Sequence, residues 1–144
     1  MNGPLPSTRA FLSDIPSLPA DSKVRFLGCV KRYDIRTGHL VLEHNYPRTR
    51  KPKTAQGPKH NYGPPSISVD INAALDTVTW EELCVGAWVN AIGYVRKNYS
   101  STPGQDTFYI EAVLVFPAGT INLNEYERIL SDSLEVEKMM RSTW

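Results

Sequence analysis

The stretch KVRFLGCVKRYDIRTGHLVLEHN, residues 23–45, constrains the fold more than any other part of the chain. Apolar and polar residues alternate along it with the period of two that belongs to a half-buried strand. Thr37-Gly38 breaks the alternation, and glycine supplies the positive φ that a tight hairpin turn requires. The pattern predicts a strand from Lys23 to Tyr33, a turn, and a second strand from His39 to Tyr46.

Three more segments carry the same signal. In SISVDI, residues 66–71, Ile67, Val69 and Ile71 point one way and Ser66, Ser68 and Asp70 the other. GAWVNAIGYV predicts a strand over Gly86 to Val95, and TFYIEAVLVF one over Thr107 to Phe116. Between the third and fourth strands, DTVTWEEL fits a short helix with Thr79 as N-cap and Glu82 three residues on. NLNEYERILSDSLEVEKMMR is helical, with Asn124 and Glu127 read as its capping box. The order β-β-β-α-β-β plus a final helix predicts a mostly β fold, a five-stranded OB-fold barrel. Its first strand must bend to pair in both halves of the sheet. Gly28 stands where a kink or bulge would allow this, and Gly86 and Gly93 in the fourth strand read similarly.

The chain divides into a Pro-rich lead-in over 1–22, a barrel over 23–120 and a helix over 121–144. Phe11, Leu12, Ile15 and Leu18 can pack as a short turn under the barrel. The first 20 residues lack the continuous apolar stretch of a secretory signal, and no run of about 18 apolar residues predicts a membrane span. Cys29 and Cys84 form no CxxC, sit in apolar neighbourhoods and read as buried free thiols of a reducing compartment.

The formal net charge of +1 hides an asymmetry. Residues 23–62 hold ten Lys/Arg against two acids, and residues 63–144 hold five against eleven. Such halves suit two surfaces with two kinds of partner. Residues 47–65, PRTRKPKTAQGPKHNYGPP, contain five prolines and no acid, and read as a long basic loop.

In the C-terminal helix, Leu123, Tyr126, Ile129, Leu130, Leu134, Val136 and Met140 span an arc of about 160° at 100° per residue. One small barrel needs an arc nearer 100°. The surplus predicts a partner, so these seven residues are the expected partner-binding set. In the fourth strand Val89, Ala91, Gly93 and Val95 suit the interior, which leaves Trp88, Asn90, Ile92 and Tyr94 outside. Outward aromatics on such a barrel can stack bases, contact a partner or lie under the lead-in. Lys31, Arg32, Arg48, Arg50, Lys51, Lys53, Lys59, Arg96 and Lys97, with Tyr99 as a stacking ring, form the expected nucleic-acid set. Binding of this kind is weak, salt-sensitive and indifferent to sequence.

Catalysis and metal binding find no support in the motifs. There is no G-x-S-x-G and no Gly-rich phosphate loop. His39, His44, Cys29 and Cys84 lack zinc-ligand spacing. The expectation is no enzyme activity, no cofactor and no metal.

The combination resembles a known family. KVRFLGCVKRYDIRTGHLVLEHN is similar to the first hairpin of the Ten subunit, the smallest subunit of the telomere-capping CST complex. GAWVNAIGYV resembles strand four of that family, and LVFPAGTINLNEYERIL its strand five running into the C-terminal helix. The resemblance covers about Lys23 to Leu134, and the insertion at 47–65 departs from it as a fungal-type elaboration. It implies a non-catalytic OB subunit in the nucleus, at chromosome telomeres. Such a subunit pairs with the N-terminal OB domain of the Stn subunit. Through the large CST subunit the complex holds single-stranded telomeric DNA, and it helps polymerase alpha–primase fill in the C-rich strand. Two other readings of the residues are a stand-alone single-strand nucleic-acid binder and an OB scaffold with no nucleic-acid role.

Overall fold

The computed structural model describes residues 6–47, 64–102, 104 and 106–142. In chain order the elements are β1 (Thr8–Arg9), a 3-10 turn (Leu12–Ser17), β2 (Lys23–Asp34), β3 (His39–Glu43) and β4 (Ser66–Asp70). A second 3-10 turn (Asn72–Ala74), α1 (Trp80–Leu83), β5 (Trp88–Asn98), β6 (Thr107–Pro117) and α2 (Leu123–Ser142) follow.

Closure depends on β2. Its first half pairs antiparallel with β5, from Lys23↔Tyr94 to Cys29↔Trp88. Its second half pairs with β3, from Cys29↔Glu43 to Asp34↔His39. β3 continues into β4, β4 runs parallel to β6, and β6 returns antiparallel to β5. The circuit β2-β3-β4-β6-β5-β2 is the closed OB barrel that the element order predicts. The hairpin turn lies where Thr37-Gly38 puts it, with Gly38 at φ +73°. An addition to the expected strands is β1, two residues parallel to β2 through Thr8↔Val24 and Arg9↔Arg25. Two residues are too few to show a period.

Gly28 has a different reason from the one its position suggests. It is neither bulged nor at positive φ, and it pairs regularly with Val89. A Cβ there would stand 2.7 Å from the Cβ of Leu42, so the glycine lets β2 and β3 approach. The bulge in β2 falls between Val30 and Arg32. The ladder between β5 and β6 shifts at Ile92/Gly93, where the glycine reading placed an irregularity.

Period two sets the core. Leu40 and Leu42 of β3, Ile67 and Val69 of β4, and Val89, Ala91 and Val95 of β5 are all buried. Leu12 and Ile15 from the lead-in join them. Full burial of each such aliphatic side chain is worth about 1.5–3 kcal/mol. In α1 the Thr79 N–H donates to Glu82 Oε2 at 2.9 Å, the expected capping bond. Burial pushes the Glu82 carboxyl up, but the Thr79 hydrogen bonds outweigh it and hold the carboxyl below its usual range.

α2 begins two residues earlier than its expected cap, Asn124, allows. The Asn122 side-chain oxygen accepts the Glu125 N–H at 3.2 Å, and the Asn122 carbonyl accepts the Tyr126 N–H at 3.0 Å. Asn122 is therefore the cap, and Glu127 is released for another role. Among the described residues no helix is long and apolar enough to cross a membrane.

Candidate partner and nucleic-acid surfaces

Of the 20 residues of α2, only Glu127 and Leu130 are buried. Leu123, Tyr126 and Leu134 are half-buried. Ile129, Val136 and Met140 are 46%, 54% and 60% exposed. The wide apolar arc thus splits into an inner and an outer row, about 100° apart around the axis. Leu130, expected to meet a partner, is 1% exposed and packs on the home barrel instead. Tyr126 is also committed inward, edge-on to Phe11 with centroids 6.4 Å apart. Burial pushes its phenol above the usual range, against the pull of Arg9, Arg25 and the Leu27 backbone. The outer row, Ile129, Ser133, Val136 and Met140, has the 4-3-4 spacing of a helix–helix seam.

Glu127 points at the barrel. Its Oε2 lies 2.8 Å from His44 Nε2, with His44 2% and Glu127 7% exposed. The imidazole sits among rings: Trp88 is edge-on at 5.6 Å, and Phe11, Tyr46 and Tyr126 lie at 6.1–6.3 Å. Neither member of this pair belongs to the expected sites. Two signals point to them. His44 shares the parity of the inward Leu40 and Leu42, and Glu127 lies on the flank of the apolar arc, one position from Tyr126. The two thiols are less buried than their apolar neighbours suggest: Cys84 is exposed and Cys29 half-buried, where burial and then the Glu43 charge push its thiol up and disfavour the reactive thiolate.

The expected nucleic-acid residues separate into three groups. The β2 bulge turns two successive side chains outward, so Lys31 and Arg32 are both exposed. Arg32 edges a groove with Ile35, Thr37, His39, Val41 and Ser68, in which Ser68 Oγ lies 3.0 Å from His39 Nδ1. Arg96 and Lys97 already have partners within the chain. Arg96 Nε donates to Glu111 at 3.0 Å, its Nη1 donates to Asp21 at 2.5 Å, and its guanidinium lies 5.1 Å from the Tyr94 ring centre. Lys97 Nζ donates to the Pro16 carbonyl at 3.4 Å. Both cations tie the lead-in to the barrel. Tyr99, 75% exposed, remains open beside Phe108. Arg48, Arg50, Lys51, Lys53 and Lys59 lie outside the described residues. Of the outward β5 aromatics, Trp88 covers His44 and Tyr94 lies under Arg96. Among the described residues no three His, Cys, Asp or Glu side chains converge on a common point.

Residues 1–131 match the model of the Ten1 family, described as telomere capping, CST complex subunit. The chain belongs to the Ten1 family. Two solved structures share its fold. The Stn1-Ten1 complex of S. pombe matches with a TM-score of 0.64 at 22% identity, over 92% of this chain and 96% of that one. Telomere capping protein Ten1 from Saccharomyces pombe matches with a TM-score of 0.63 at 22% identity, over 90% of this chain and 99% of that one. A more distant likeness, the E. coli hypothetical protein ygiW, has a TM-score of 0.50 at 16% identity, over 81% of this chain and 100% of that one. No curated protein sequence matches.

Proposed function

We propose that this chain is the small, non-catalytic subunit of a telomere end-protection complex and pairs with the N-terminal OB domain of a Stn-type subunit through α2. The observation that carries the reading is the outer row of α2. Ile129, Val136 and Met140 stay exposed after the barrel has covered the inner row. A similar chain crystallised as a Stn1-Ten1 complex supports the choice of partner. In this reading Leu123, Tyr126, Leu130 and Leu134 hold the helix to its own barrel and the outer row meets the partner. The large CST subunit and polymerase alpha–primase act on the assembled complex, in the nucleus at telomeres, during C-strand fill-in.

Direct contact with single-stranded DNA is the lesser part of the role. Lys31, Arg32 and Tyr99 are the expected residues left exposed for it among those described, and they support weak binding alone. The exposed Lys31–Arg32 pair also favours the second reading, a stand-alone single-strand binder.

Purifying the chain with and without a Stn-type OB domain, and measuring mass in solution and oligonucleotide affinity, separates the two. A heterodimer that binds single strands better than either protein alone supports the complex subunit. Tight binding by the lone chain at physiological salt, with no heterodimer, supports the second reading.

A further inference from the structure

We propose that the His44–Glu127 pair is a positioning device. It sets the roll of α2 about its own axis and so decides which row of the helix is offered to a partner. The inference rests on the reading that the outer row of α2 is the partner surface.

The sequence leaves the roll of α2 poorly determined. An apolar arc of about 160° is wider than one barrel can cover, so either row could pack inward. Apolar contact is non-directional and does not choose between them. Leu130 is the one fully buried apolar side chain of α2, and the half-buried Leu123, Tyr126 and Leu134 lie within about 40° of it around the axis, so these apolar contacts hold the helix down without locking its roll.

The hydrogen bond from His44 to Glu127 removes that freedom. It is directional, at 2.8 Å, and it acts about 60° around the helix from Leu130. Glu127 lies about 160° from Ile129, so fixing Glu127 inward holds the outer row outward. The barrel side holds His44 from two directions. The His44 backbone N–H donates to the Pro65 carbonyl at 3.2 Å, and Trp88 packs edge-on against the imidazole. Any roll that buried Ile129 would pull the carboxylate off its donor and leave both groups of the pair unsatisfied. In some proteins, coiled coils among them, a buried polar group specifies one arrangement among apolar alternatives rather than adding stability.

The test compares three altered full-length chains with the unaltered one for binding to a Stn-type N-terminal OB domain, with melting curves and circular dichroism for each. Glu127→Gln keeps an acceptor for the His44 N–H. The double change His44→Leu, Glu127→Leu removes the bond and fills the site with apolar volume. Ile129→Glu probes the outer row directly. The expected result is binding within about threefold for Glu127→Gln, and a loss of at least tenfold for the double variant at an unchanged helix content and melting temperature. A folded double variant that binds within threefold overturns the positioning role. So does a double variant that unfolds, since the pair would then serve folding and not orientation. Normal binding by Ile129→Glu overturns the underlying partner surface, which keeps the two failures distinct.

Discussion

Gly28 and Leu42 lie so close across β2 and β3 that a methyl group on the glycine would stand 2.7 Å from the Leu42 Cβ. Gly28→Ala therefore forces two paired strands apart and should lower stability by about 1–3 kcal/mol. Truncating the neighbour brings no relief, because Leu42→Ala keeps the clashing Cβ. Thermal unfolding of the single and double variants checks this. A Gly28→Ala chain that melts with the unaltered protein would show that the strands separate freely.

The two rows of α2 should respond differently in the isolated chain. Leu130→Ala empties a buried site and should cost about 2–5 kcal/mol. Val136→Ala, on the exposed row, should stay within about 0.5 kcal/mol. Urea unfolding of each variant reads the difference. Equal losses would mean that the split into inner and outer rows is wrong.

Cations that are free should govern the salt dependence of oligonucleotide binding, and cations that are paired should not. Arg32→Ala should reduce the slope of log affinity against log salt by roughly 0.7, the value for one single-strand phosphate contact. Arg96→Ala should leave that slope unaltered and loosen the lead-in, at about 0.2–1 kcal/mol for each exposed ion pair lost. A salt titration with a single-stranded oligonucleotide distinguishes them. A flattened slope for Arg96→Ala would return that residue to the nucleic-acid surface.

Alkaline pH should undock α2. Burial raises the Tyr126 phenol above its value in the unfolded chain, about 10. The native state then holds its proton more tightly than the unfolded state does. The corresponding stability is fully present below pH about 10 and is lost as pH rises through the folded value. Tyr126→Phe should make stability less sensitive to pH in that window. An unchanged alkaline loss would assign it to another group.

What was legible in the sequence depended on period and parity. The strands could be read because alternation is strict in HLVLE, SISVD and WVNAIGYV, and the Thr79–Glu82 cap because its chemistry is local. The same parity that makes Leu40 and Leu42 inward carries on to His44, yet a histidine there reads as a surface residue until its partner is known. That partner is 83 residues away, and no local pattern can announce it. Arg96 misleads for the same reason. It reads as a loose cation near a loop, and only folding brings Asp21 and Glu111 to it. Charge counting along the chain gives the number of cations but not which are already neutralised.

The double pairing of β2 also imposes an order in time. The first half of β2 ends at Cys29, and its β5 partner Trp88 comes 59 residues later. At a synthesis rate of about 5–20 residues per second, the first half of β2 waits roughly 3–12 s for the strand that covers its flank. The β2–β3 hairpin can form at once, but the barrel stays an open sheet until β5 and β6 have left the ribosome, and α2 follows them. A nascent chain of this protein passes through a stage with an apolar strand edge uncovered, when a holding chaperone would have most to offer.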